Sequence, residues 1–100
     1  NEPQSTQAHF QLGVLAEVES KLDEAVEHYR RAAEIAPDFL PALRNLALIY
    51  AQRHDVPNTR SMVERALKLE RDPDRRRALE KLLEPITGTQ NPPPAATDRG

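Results

Sequence analysis

Five apolar positions recur at an interval of 34 residues: Leu12 as Leu46, Ala16 as Tyr50, Tyr29 as Val63, Ala32 as Ala66 and Ile35 as Leu69. One pair at that spacing would carry no weight, but five in a single register mean that a two-helix unit has been written twice. Such a unit stacks on its neighbour to bury an apolar face and leaves the other face for display. The spacing therefore points to a binding module.

Helical periodicity accounts for nearly everything up to Pro85, and no segment sustains the alternation of a strand. A first helix is expected from about Ser5 or Thr6, whose hydroxyls can accept from free amides, to about Ser20. It carries Phe10, Leu12, Val14, Leu15 and Val18 over a broad apolar face. Asp23 is the expected cap of a second helix, which bears Ala25, Val26, Tyr29, Ala32, Ala33 and Ile35 and stops before Pro37. The plan then repeats. Leu43, Leu46, Ala47, Ile49 and Tyr50 mark a third helix, and the chain breaks at His54 and Asp55. Met62, Val63, Ala66, Leu67 and Leu69 mark a fourth, with Asp55 as cap and Pro57 in the first turn. Asp72 and Pro73 interrupt again, Asp74 is the expected cap of a last short helix with Ala78, Leu79, Leu82 and Leu83, and Pro85 ends it.

Charge and hydropathy exclude several classes of function. A formal net charge of -2 with 30% charged residues provides no global field to gather nucleic acid. The longest apolar run, Leu46 to Tyr50, falls far short of the roughly 20 residues that span a bilayer, so no membrane insertion is expected. The absence of cysteine excludes disulfides, thiol catalysis and thiolate metal sites. It leaves the compartment open, with a soluble cytoplasmic protein the favoured reading. From Thr87 the chain has three consecutive prolines and no large apolar anchor, which reads as a disordered spacer rather than a polyproline ligand.

His9, Leu12, Gly13, Ala16, Ala25, Tyr29, Ala32 and Pro37 together resemble the tetratricopeptide repeat, with His9 at the family's Trp position and Ala16 at its Tyr position. Leu43, Leu46, Ala47, Tyr50, Thr59, Val63 and Ala66 resemble it more loosely, because Thr59 replaces a small Ala and Arg71 stands where Pro would close the repeat. The resemblance implies an all-α fold: antiparallel helix-turn-helix repeats in a short right-handed α-solenoid of about five helices. It divides the chain into an N-terminal flank 1–5, a first repeat 6–39, a second repeat 40–73, a capping helix 74–86 and a proline-rich tail 87–100. A third repeat in strict register would bury Arg77, Glu80, Lys81 and Glu84, which is untenable. A slip of two residues aligns Leu79 with Leu43, Leu82 with Leu46, Leu83 with Ala47 and Ile86 with Tyr50 instead.

The family's function is to hold a peptide or partner helix in the groove lined by the first helix of each repeat, without catalysis. Carried over residue by residue, the groove positions are Gln7, Phe10, Gln11, Val14 and Glu17, then Pro41, Arg44, Asn45, Leu48 and Gln52, then Arg77 and Lys81. Of these, Phe10, Gln11, Val14, Arg44, Asn45, Leu48, Arg77 and Lys81 are the candidate site residues. Some members grip a chaperone's carboxyl terminus with Lys, Asn, Asn, Lys and Arg. Here Phe10 and Val14 replace the first two, while Asn45, Arg77 and Lys81 match the others in chemical type. An acidic peptide therefore competes with a semi-apolar segment that uses Phe10, Val14 and Leu48 as anchors. An alternative role is self-assembly into homo-oligomers through the exposed end of the repeats.

No cofactor and no metal are expected. His9, His28 and His54 lack zinc-motif spacing, with His9 read as packing and His54 as a turn residue. No nucleophile elbow or phosphate-cradling glycine loop is present in the sequence. Asp23 and Glu24 suit a helix start, and Arg75 to Arg77, interleaved with Asp72, Asp74 and Glu80, read as a solvated helix face.

Overall fold

The computed structural model describes the backbone of residues 2–84 and the side chains of residues 5–84. Five helices follow one another: α1 (Glu2–Val18), α2 (Leu22–Ile35), α3 (Leu40–Gln52), α4 (Val56–Leu69) and α5 (Pro73–Lys81), with no strand among the described residues. Each packs chiefly on its neighbours in the chain, so the fold is an all-α helical repeat. The expected helix end at Pro85, the alignment of Ile86 and the reading of 87–100 as a tail lie outside the described residues.

Small residues decide how closely the helices approach. Ala25, Ala32, Ala42 and Ala47 are buried to the last atom, and Leu43, Leu46, Ile49 and Val63 fill the spaces between the axes. Burial of each of these larger side chains contributes about 1.5–3 kcal/mol. The core forms two clusters, one joining α1, α2 and α3 around Tyr29, and one joining α2, α3, α4 and α5 around Leu43 and Val63. Leu79 sits in the second cluster, and Leu82 and Leu83 pack half-buried against it. Thr59 is buried despite its hydroxyl, which donates to the Asp55 carbonyl at 2.7 Å and leaves no unmet polar group.

The turns repeat as faithfully as the apolar positions. Ser20 (φ 63°) and His54 (φ 61°), 34 residues apart, both enter the left-handed region and end α1 and α3. Each is followed by an amide that reaches five residues back: Lys21 to the Ala16 carbonyl at 2.8 Å, Asp55 to that of Tyr50 at 2.9 Å.

The helix starts depart from expectation in three places. α1 begins at Glu2, so Ser5 and Thr6 lie within it and Thr6 is buried. α2 is capped at Lys21 without a side-chain bond, and Asp23 falls in its first turn, where its charge still favours the helix dipole. α5 is capped by Asp72, whose carboxylate accepts from the Arg75 amide at 2.9 Å. Pro73 can occupy the first helical position because no amide hydrogen is required there, which moves the cap two residues ahead of Asp74. α4 begins as expected, with Asp55 accepting from the Asn58 amide.

Candidate peptide-binding groove

Gly13 and Tyr29 set the spacing of α1 and α2. The Tyr29 ring lies so close to Gly13 that a Cβ there would stand 2.5 Å from its Cε1 atom. The fully buried ring carries its hydroxyl to the far side, where it donates to Glu17 Oε1 at 2.5 Å and is also hydrogen-bonded by the Asn45 side chain. Burial pushes the phenol well above its usual range, the Glu17 carboxylate adds to this, and Asn45 opposes it. Glu17, Tyr29 and Asn45 thus tie α1, α2 and α3 together. Phe10 packs on Tyr29 with ring centres 5.6 Å apart and meets Phe39 edge-on at 5.3 Å.

A second anchor joins α3, α4 and α5. Glu70 is buried at the end of α4; one carboxylate oxygen accepts from Arg44 at 3.2 Å and the other from the Asp72 amide at 3.3 Å. Arg76 donates to the carbonyls of Leu67 (2.6 Å) and Glu70 (2.8 Å), so its charge sits against the carbonyl end of α4, where the helix dipole favours it. The sequence pattern marked Arg75 to Arg77 as one solvated face; Arg76 is instead half-buried and holds α5 in place.

These anchors leave a cup of about 120 Å³ between α3 and α5, lined by Arg44, Asn45, Leu48, Arg75, Ala78, Leu79 and Leu82. Its lining combines the aliphatic Leu48, Ala78, Leu79 and Leu82 with the two arginines Arg44 and Arg75. Three candidate residues, Arg44, Asn45 and Leu48, meet there. The others are distributed differently. Phe10 is half-buried in the aromatic cluster, and Gln11 and Val14 are exposed on α1. Arg77 pairs with Asp74 at 3.3 Å on an exposed face, a contact of about 0–1 kcal/mol, and Lys81 is exposed. Helical periodicity places Arg77 and Lys81 on the side of α5 away from the cup. Arg75, Ala78 and Leu82 take the facing positions, which the two-residue slip did not identify. Only the rotation of α5 about its axis decides between the two sets.

A wider cleft of about 300 Å³ opens between α2 and α4, lined by Ala33, Leu46 and Met62 together with Arg30, Glu34 and Arg65. Its mixed charges select no sign of ligand. His9 and His28 meet across α1 and α2 with their Nδ1 atoms 3.3 Å apart and ring centres 5.5 Å apart, a spacing at which one ring nitrogen can donate to the other. Among the described residues no three metal-ligating side chains of His, Cys, Asp or Glu stand together.

Comparison with known proteins bears on the same hairpin. Residues 6–39, which cover most of α1, all of α2 and the turn into α3, match the model of the tetratricopeptide repeat. The five helices are consistent with repeats of this type. The chain is similar to the probable biofilm formation methyltransferase WspC of Pseudomonas putida, with 34% identity over 73 residues, or 73% of this chain and 17% of that protein. It is also similar to the protein O-mannosyl-transferase Tmtc3 of Drosophila melanogaster, with 45% identity over 51 residues, or 51% of this chain and 6% of that protein. The chain thus spans a small part of each relative, and the transferase activities in their names belong to those proteins. No solved structure matches at a significant level. Tetratricopeptide repeats mediate protein–protein interaction in general, and no helix of the described residues is long and apolar enough to cross a membrane.

Proposed function

We propose that this chain is a non-catalytic interaction module that holds a peptide or partner helix in the groove of α1, α3 and α5. In this reading residues 40–73 act as the second repeat and α5 as its cap. The observation that carries it is the cup between α3 and α5, whose lining joins the aliphatic Leu48, Leu79 and Leu82 to Arg44 and Arg75. Its volume suits one aliphatic side chain, and burial of that side chain is worth about 1.5–3 kcal/mol. A neighbouring carboxylate gains a charge-assisted hydrogen bond from Arg75, about 1.5–3 kcal/mol more. Arg44 is held by Glu70 and contributes mainly shape. Asn45, engaged with Tyr29, likewise serves as wall rather than clamp. The ligand that fits is a segment with Leu, Ile or Met beside Asp or Glu; the two gains together, about 3–6 kcal/mol, correspond to a Kd of about 40 µM at best, and the cost of ordering moves it toward the millimolar range.

Fluorescence anisotropy with labelled peptides tests this on the intact chain. Peptides pairing an aliphatic residue with an acidic neighbour should bind at least tenfold more tightly than versions with Lys in place of the acid. Leu48→Glu should abolish the difference while the helical circular dichroism is retained. Equal binding of both peptide classes, or binding indifferent to Leu48→Glu and Leu82→Glu, refutes the reading.

A further inference from the structure

His9 on α1 and His28 on α2 lie 19 residues apart in the chain, a separation that matches no zinc motif, yet the fold brings them into contact. Their Nδ1 atoms are 3.3 Å apart and their ring centres 5.5 Å, so the two nitrogens are the points at which the rings approach each other. As a hydrogen bond this contact is long. As a bite for a metal ion it fits, because two imidazole nitrogens bound at about 2.0–2.1 Å with a tetrahedral angle between them stand about 3.3–3.4 Å apart. Both rings are half-buried, packed in the seam between two helices yet still reached by solvent. The surrounding charge does not oppose a cation. No Asp, Glu, Lys or Arg occurs from Ser5 to Ala16, so α1 sets no cation against the pair. On α2 the charged residues one turn from His28 are Glu24 and Arg31, both exposed and opposite in sign.

We propose that His9 and His28 form a two-histidine chelate for a divalent ion that prefers imidazole, Zn²⁺ or Cu²⁺, and that the ion staples α1 to α2. Each neutral ring has one nitrogen with a proton and one without. The ring that donates through Nδ1 in the free pair gives up that proton and takes one at Nε2, so both Nδ1 lone pairs become available and no net proton is released. A swing of each ring at constant nitrogen spacing then aims both lone pairs at one ion. No third His, Cys, Asp or Glu stands with them among the described residues, so water completes the coordination. Mg²⁺ and Ca²⁺ take oxygen ligands, and this donor set excludes them. The unfolded chain has no fixed spacing between the two rings, so the ion binds the folded hairpin and stabilises it by mass action.

Thermal unfolding of the chain, free of any histidine tag and titrated with zinc chloride near neutral pH, tests the proposal. At about 1 mM, Zn²⁺ held with a Kd on the order of 100 µM multiplies the folding constant about elevenfold and should raise the Tm by roughly 5–10 °C. Mg²⁺ at the same concentration should leave the Tm unchanged. His9→Gln and His28→Gln should each abolish the zinc shift, measured against their own metal-free Tm, and His54→Gln should keep it. A shift that survives His9→Gln or His28→Gln, or that Mg²⁺ reproduces, overturns the proposal, as does a Tm indifferent to Zn²⁺. Should a variant lose its fold, NMR of the unaltered chain decides: substoichiometric Cu²⁺ should broaden the imidazole signals of His9 and His28 and spare those of His54. Equal broadening of all three overturns the chelate. Half a Zn²⁺ per chain, with sedimentation as a dimer, would also overturn it, because the ion would then join two copies. None of these readouts depends on the α3–α5 cup.

Discussion

Replacement of Gly13 by Ala sets two known effects against each other. In an exposed stretch of helix the change stabilises by about 1 kcal/mol, because Ala loses less backbone freedom. Here the new methyl would lie 2.5 Å from Tyr29 Cε1, 2.6 Å from Cδ1 and 3.0 Å from Cζ, where carbon atoms prefer about 3.5–4.0 Å. The ring has no free direction of retreat, because it is buried and its hydroxyl is held by Glu17 and Asn45. Overpacking of this kind costs about 1–3 kcal/mol, and the separation of α1 from α2 weakens the Tyr29 hydrogen bonds as well. The net expectation is a loss of about 1–2 kcal/mol, or a fall in Tm of roughly 5–15 °C for a domain of this size. Thermal unfolding followed by circular dichroism measures it. A Tyr29→Leu background supplies the control, since without the ring Gly13→Ala should be neutral or raise the Tm. A Gly13→Ala chain that melts higher than the parent would show that the ring does not set the helix spacing.

Three further outcomes follow from the same contacts. Tyr29 and Tyr50 both have their ionisation raised above the ordinary value, mainly by burial, so above about pH 10 the unfolded chain releases phenolic protons that the fold retains. Stability is then fully present below that pH and declines as pH rises, so the urea midpoint should drop between pH 9 and 11, less steeply in Tyr29→Phe; a flat profile contradicts the assignment. Ser20→Gly relieves an exposed left-handed residue and should raise stability by about 0.5–1 kcal/mol, measured by urea titration, whereas a loss would mean that the Ser20 side chain is needed. Arg76→Met removes the guanidinium from the Leu67 and Glu70 carbonyls; hydrogen exchange in α5 should speed up about tenfold or more while α1 and α2 keep their protection.

Much of the architecture was legible in the one-dimensional pattern. The apolar positions at 34-residue spacing, Pro37 after α2, and the break at His54 and Asp55 all arise from local rules of periodicity, backbone freedom and capping. Leu12 is an instructive exception. It shares register and residue type with buried Leu46 yet is exposed, because burial depends on whether another helix lies opposite, and periodicity carries no information about that. The candidate site was legible in part. Arg44, Asn45 and Leu48 could be marked from their position in the repeat, but the engagement of Arg44 by Glu70 and of Asn45 by Tyr29 could not. Those pairings join residues 26 and 16 positions apart, across helices whose relative rotation local pattern does not specify.

The sequence by itself determined the number of helices, their order and the faces they can bury, since each follows from interactions within a few residues along the chain. Tertiary structure alone decided which polar groups serve the fold and which remain available to a ligand. Arg75, Arg76 and Arg77 stand side by side in the chain. Successive helical residues point about 100° apart, so one meets the cup, one caps α4 and one faces solvent.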